Sequence, residues 1–139
     1  MQTFLPYADY VKTAKVLDYR RLGKQRVEAM QILRILLNET ERKGWRNHPA
    51  VKMWRGHEGD LARYGAEICR EWISRGYKDT LLPYFELRMT PAPSPSWVGS
   101  DSFHIAHRSN LLRKFPEHYL AMFGADSVPS DIPYIWPIE

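Results

Sequence analysis

The sequence predicts an all-α protein, and three observations carry that prediction. A proline-free stretch of helix formers from Val16 to Leu37 repeats apolar residues at steps of three and four. A second stretch, about 57 to 75, does the same with Leu61, Tyr64, Gly65, Ile68 and Trp72. No segment shows the apolar-polar alternation of a half-buried strand, and nothing repeats. The chain has 139 residues, enough for one domain with a core and short of two. Residues 1–139 are therefore read as a single domain.

Taken in order, residues 1 to 14 begin extended. Pro6 biases Leu5 away from helix, and Phe4, Leu5 and Tyr7 supply apolar surface to bury. A first helix is expected from about residue 13 to about residue 42. On it Leu22, Arg26, Ala29, Met30, Leu33, Leu36 and Leu37 make a largely apolar stripe, opposite a polar row of Arg21, Lys24, Gln25, Glu28 and Gln31. Gly23 lowers local helix stability by about 1 kcal/mol relative to Ala and marks a bend or a close backbone approach. Gly44, after the basic pair Arg42-Lys43, reads as a left-handed stop.

A short helix over 49–55 begins at Pro49, with Asn47 or His48 before it. The second long helix closes on Gly76. Residues 78–100 contain Pro83, Pro91, Pro93 and Pro95, and the TPAPSPSW run within them reads as a loop. A third helix starts near Ser100 to Ser102 and runs through Lys114. Pro116 restarts the chain as a short helix ending near Gly124. The last fifteen residues are irregular, pinned by Tyr134, Ile135 and Trp136. The architecture is three main helices, shorter ones, and a proline-rich C-terminal tail.

The formal charge of +4 and a sequence pI near 9.3 favour an anionic partner only weakly. Cys69 is the single cysteine, which excludes an internal disulfide and suits a reducing compartment. The first ten residues lack the apolar core of a signal peptide. No apolar run approaches a membrane span, so the expectation is a cytoplasmic protein. His48, His57, His104, His107 and His118 form no HExxH pattern and have no cysteine pair beside them, so no metal site is expected. Nor is there a glycine-rich phosphate loop, and no cofactor is expected. Cys69 sits in an apolar stretch and reads as packed rather than nucleophilic.

Three clusters carry possible chemistry. Lys24 and Glu28 lie four apart on one helix and can touch. On a surface such a pair contributes at most about 0.5 kcal/mol. In a polar site it is an amine beside a carboxylate, equipped for covalent chemistry at an aldehyde-like sugar carbon. The segment NHPAVKMWRGH brings Asn47 and His48 to a helix start, with Trp45, Trp54, Arg46, Lys52 and Arg55 for base stacking and phosphate contact. Asn47 could equally be a cap, and the two tryptophans core. In HIAHRSNLLRK, His104, His107, Arg108, Ser109, Asn110, Arg113 and Lys114 make either a solvated face or a phosphate-gripping helix.

The order of these blocks resembles the pyrimidine-dimer DNA glycosylases, the small all-α phage endonuclease V and its bacterial relatives. LDYRRLGKQR resembles that family's first-helix segment. WRGHEGDLARYGAEICREWISRGYKD resembles its second long helix, and HIAHRSNLLRKFPEHYLAMFG its last helix and aromatic segment. The likeness spans about residues 15 to 124, with gaps near 38–47 and 80–100. RLGKQRVEAMQIL, GWRNHPAVKMW and HRSNLL point to a bacterial branch.

The resemblance implies a base-excision enzyme acting on double-stranded DNA, as a monomer. The family's N-terminal amine attacks the sugar C1′ and forms a Schiff base. A first-helix Glu assists base loss and strand cleavage, on a kinked duplex with a nucleotide flipped out. Two positions depart from the pattern. Residue 2 is Gln, too bulky for ordinary methionine removal, so the terminal amine would belong to Met1; an α-amine ordinarily titrates near 8. Arg21 stands where alignment on Tyr19 would put the Glu. The candidate roles are therefore Lys24 or the Met1 amine as nucleophile and Glu28 as general acid/base. Arg21, Gln25, Arg26, Arg46, Asn47, His48, Trp54, His104, His107, Arg108, Asn110, Arg113 and Lys114 would hold DNA. Other readings are a DNA-binding protein of this fold without catalysis, a nuclease or modified-base glycosylase on the scaffold, and a protein-interaction domain.

Overall fold

The computed structural model describes residues 1–41 and 44–138. Among them are seven α-helices and no strand: α1 Tyr10–Val16, α2 Tyr19–Leu36, α3 Pro49–Lys52, α4 Glu58–Ser74, α5 Leu82–Glu86, α6 Asp101–Lys114 and α7 Pro116–Phe123. A 3₁₀ turn over Gly124–Asp126 follows. The all-α expectation holds, with α2, α4 and α6 as the three long helices.

The expected first helix is two. Leu17 and Asp18 are extended, and the Asp18 carboxylate accepts a hydrogen bond from the Arg21 N–H as the N-cap of α2. Its other partner is the Tyr119 hydroxyl on α7, 101 positions away in sequence. Asp9 caps α1 in the same manner, accepting from the N–H groups of Val11 and Lys12. Downstream, α2 stops at Leu36 rather than near 42. Asn38 takes a left-handed φ of 57°, and its N–H and that of Glu39 donate to Ile35 and Arg34 carbonyls. That is a Schellman closure with Asn in the glycine position. The basic end Arg42-Lys43 lies outside the described residues.

Gly76 closes α4 as the sequence predicts. At φ 93° it turns the chain so that its own N–H reaches Ile73 and that of Tyr77 reaches Trp72. His48, not Asn47, caps α3, its Nδ1 accepting from the Ala50 N–H at 3.0 Å. Within 78–100, α5 is a short helix for which the sequence reading named no element, while the TPAPSPSW run is the expected loop. Asp79 organises the start of α5 by accepting from the N–H groups of Leu81 and Leu82.

The core gathers Leu5, Leu17, Leu22, Ile32, Leu33, Trp54, Leu61, Tyr64, Ile68, Phe85, Phe103 and Tyr119, each 1% exposed or less. Helix α2 packs chiefly on α4; α4 also carries α1 and α5, and α6 packs on α7. Gly23 marks the close approach anticipated for it: a Cβ there would lie 2.8 Å from the Trp72 ring of α4. Tyr134 and Trp136 of the tail pack against the core, but Ile135 is exposed. Cys69 is buried, and burial, reinforced by the nearby Asp79 carboxylate, pushes its thiol up to about 12.

Candidate active site

The site begins with an extended N-terminal arm that has no strand to pair with. Its backbone groups must find partners elsewhere, and side chains supply them. The N–H of Gln2 donates to Glu28 Oε2 at 3.2 Å. The Phe4 N–H donates to Gln25 Oε1 at 2.8 Å, and the Leu5 N–H to His107 Nδ1 at 2.9 Å. In the other direction, Gln25 Nε2 donates to the Gln2 carbonyl, Tyr64 Oη to that of Phe4, and Arg108 Nη1 to that of Pro6. His104 bridges two segments. Its Nε2 accepts from the Gly99 N–H, which places the ring proton on Nδ1 for donation to the Leu5 carbonyl at 2.8 Å.

This clasp explains buried polar residues that a hydropathy pattern places on the surface. Gln25 is 1% exposed and uses both ends of its amide: Oε1 also accepts from Tyr64 Oη, and Nε2 also donates to Glu28 Oε2 at 3.1 Å. Trp54 is fully buried, its Nε1 donating to Thr3 Oγ1. His107 is neutral, because burial and the adjacent His104 hold it down at about 3. For His104 the direction is also downward, burial outweighing the opposing bond to Leu5.

The arm delivers Met1 to a groove of about 810 Å³ along α2. Asp18, Tyr19, Arg20, Arg21, Lys24 and Glu28 line one side; Lys114, Phe115, Tyr134 and Trp136 complete it. A second depression of about 480 Å³, with Met30, Gln31, Arg34 and Trp45, adjoins it. Met1 and Glu28 line both and so stand between them. Glu28 is largely covered, at 15% side-chain exposure, while Lys24, 3.8 Å from Glu28 Oε1, is 74% exposed. Lys24 is therefore a solvated lysine. His48 faces the same region, between the rings of Trp45 and Trp136. Burial and the positive Met1 terminus lower its basicity, against the opposing pull of Glu28.

The Arg21 guanidinium pairs with the Asp18 carboxylate at 3.1 Å. Burial pushes the Asp18 carboxyl up. Hydrogen bonds from Tyr119 and Arg21, and the Arg21 charge, outweigh it and hold the group below its ordinary value.

The structure thus gathers Met1, Arg21, Lys24, Glu28 and Lys114 around one groove, with His48 beside it. Several candidates for DNA contact are engaged elsewhere. Arg26 is tied to Asp79 at 2.6 Å. Arg113 bonds the Ser130 carbonyl and Asn110, and Asn110 bonds the Ala106 and Ile132 carbonyls. Gln25, Trp54, His104, His107 and Arg108 hold the arm. Arg46 and Asn47 are exposed, away from the groove lining. The sequence reading missed Tyr19, Phe115, Tyr134 and Trp136 as groove residues; the only hint was the aromatic content of the tail. No group of three or more His, Cys, Asp and Glu suited to a metal ion occurs among the described residues.

Met1 and a covered carboxylate, Glu28, line one groove with Arg20, Arg21, Lys24 and Lys114, whose positive charge suits a polyanion. The chain belongs to the pyrimidine dimer DNA glycosylase family, whose model matches residues 1–82. That span holds the arm, α2 and α4, hence Met1, Arg21, Lys24 and Glu28. No curated protein and no solved structure matches the chain. Among the described residues no helix is long and apolar enough to cross a membrane.

Proposed function

We propose that this chain is a single-domain DNA glycosylase with associated abasic-site lyase activity, acting as a monomer on damaged duplex DNA. The Met1 amine is the nucleophile and Glu28 the general acid/base. The amine nitrogen attacks C1′ of the damaged nucleotide, the C1′–N bond to the base breaks, and a Schiff base to the opened sugar results. Glu28 moves protons between amine, sugar and leaving base. It then takes the C2′ proton as the 3′ phosphate departs, and water releases the amine. The observation carrying this reading is the shared clasp: one amide, Gln25, holds both the arm that ends in Met1 and the Glu28 carboxylate.

Borohydride trapping tests it. Duplexes carrying a cyclobutane pyrimidine dimer or an abasic site are incubated with protein and reduced. The expected result is a covalent complex with the adduct on the Met1 peptide. Glu28→Gln keeps an oxygen acceptor for Gln2 and lowers turnover by at least about 10²-fold. Dimer cleavage undiminished in that variant would remove Glu28 from the mechanism, and absence of any adduct would remove the Schiff base.

A further inference from the structure

Three rings run from the body of the protein to the groove. Trp72 lies across Gly23 on α2, a contact that only a glycine permits at that distance. Tyr77 stacks on Trp72 with centroids 4.2 Å apart and planes 23° from parallel. The Schellman closure at Gly76 accounts for this pair, since such closures bring those two positions together. It does not account for the third ring. Tyr19, the first residue of α2, runs near-parallel to Tyr77, offset at 6.5 Å and also 23°. It lines the groove and remains 51% exposed. Arg20 Nε donates to its hydroxyl at 3.1 Å. Arg26, fixed by Asp79, sits over the far end of the ladder, 5.0 Å from the Trp72 ring.

A half-exposed ring braced from behind and surrounded by cations has the composition of a nucleobase platform. Bases stack on aromatic faces largely without regard to sequence, while nearby cations hold the phosphates. Arg20, Arg21, Lys24 and Lys114 supply the charge in the same groove. We propose that Tyr19 is a stacking site for one unstacked nucleobase of the bound DNA, next to the nucleotide that reaches Met1 and Glu28. This rests on the DNA-repair reading of the groove. It adds a base-holding subsite at the N-terminal end of α2, with Tyr77 and Trp72 as its support.

The test is binding of a duplex with a tetrahydrofuran abasic analogue, followed by fluorescence anisotropy over a series of salt concentrations, with affinities compared at the same salt. Tyr19→Ala and Tyr19→Leu are expected to bind about tenfold more weakly than the parent, with Tyr19→Phe and Tyr19→Trp within about twofold. The salt dependence of binding stays the same in all four, because no phosphate contact is removed. Tyr77→Leu leaves Tyr19 in place without its brace and gives a smaller loss. Thermal midpoints close to the parent's exclude a folding defect at this exposed position. If Tyr19→Ala binds as tightly as the parent, or Tyr19→Leu matches Tyr19→Phe, the platform is overturned while the repair reading stands. If the parent protein binds no such duplex, the repair reading fails and the platform with it.

Discussion

Helices α2 and α6 carry similar polar side chains in sequence and use them in opposite ways. On α2, Arg21, Lys24 and Glu28 face an open groove. On α6, His104, His107, Ser109 and Asn110 are buried, and Arg108 and Arg113 reach backbone carbonyls. The difference lies in what each helix packs against. Between them runs an extended arm with no sheet to join, and its N–H and C=O groups need partners on both flanks. Helix α6 gives His104, His107, Arg108, Ser109, Asn110 and Arg113 mainly to the arm and the tail, and only Lys114 to the groove. Helix α2 gives Gln25 wholly and one oxygen of Glu28 to the arm, while Arg21 and Lys24 face the groove. Polarity on a helix thus marks either a site or a neighbour with unpaired backbone.

Gln25 is where the two uses meet, and removing it should have the largest effect. Gln25→Leu leaves the Phe4 N–H buried without its acceptor and the Gln2 carbonyl without its donor, and frees both the arm and Glu28. Unsatisfied buried groups cost about 1–3 kcal/mol each, so the variant should lose roughly 3 kcal/mol. For a chain of this size that lowers the melting midpoint by about 10 °C. At temperatures where circular dichroism shows it folded, its borohydride trapping should still fall at least about tenfold, because the proposed nucleophile, the Met1 amine, and the Glu28 carboxylate are no longer tied together. Retained trapping would mean that the clasp serves stability alone.

A smaller effect separates α6 from α2 by pH. His107 titrates near 3 in the folded protein, against about 6.5 for a free histidine. Between those values the unfolded chain binds a proton that the folded chain refuses. Its contribution to stability is therefore complete above about pH 6.5 and is lost as pH falls toward 3. The slope reaches about 1.4 kcal/mol per pH unit. His104 is shifted in the same direction. Asp18, held below its ordinary value, contributes stability above about pH 4 that is lost only on further acidification. Lowering the pH from 7 to 5 should thus reduce the melting midpoint by several degrees, and His107→Asn should flatten that dependence. An equal slope in both proteins would place the acid sensitivity elsewhere.

The same contrast explains what was legible in the sequence. Elements closed by local chemistry were readable: α4 by Gly76, α3 and α7 by Pro49 and Pro116, α6 by its onset near Ser100. The break at Leu17-Asp18 was not, because VLDYRR reads as continuous helix and the cap is held partly by Tyr119 on α7. Nor was the stop at Asn38, where a side chain tolerant of left-handed φ does the work of the expected glycine. In the site, Glu28 and Lys24 followed from four-residue spacing. The burial of Gln25, His104 and His107 did not, since helical periodicity sorts faces by polarity and carries no trace of an unpaired arm.

The smallest expected effect is also the one that decides between two amines. Lys24 and the Met1 terminus line the same groove near Glu28, but their surroundings differ. Lys24 is 74% exposed at 3.8 Å from Glu28, so water screens the pair and its contribution to stability is at most a few tenths of a kcal/mol. Nothing in that setting desolvates the ammonium, which is how a lysine is ordinarily made nucleophilic. Met1 is carried by an arm whose backbone is bonded at Gln2, Thr3, Phe4, Leu5 and Tyr7. Fixed placement of this kind supplies effective molarity that a free side chain lacks. Lys24→Gln should therefore leave the melting midpoint unchanged, weaken duplex binding slightly through one lost cation, and trap abasic DNA within about twofold of the parent. Loss of the adduct in Lys24→Gln, with duplex binding retained, would transfer the nucleophile to the ε-amine and reduce the arm to a structural clasp.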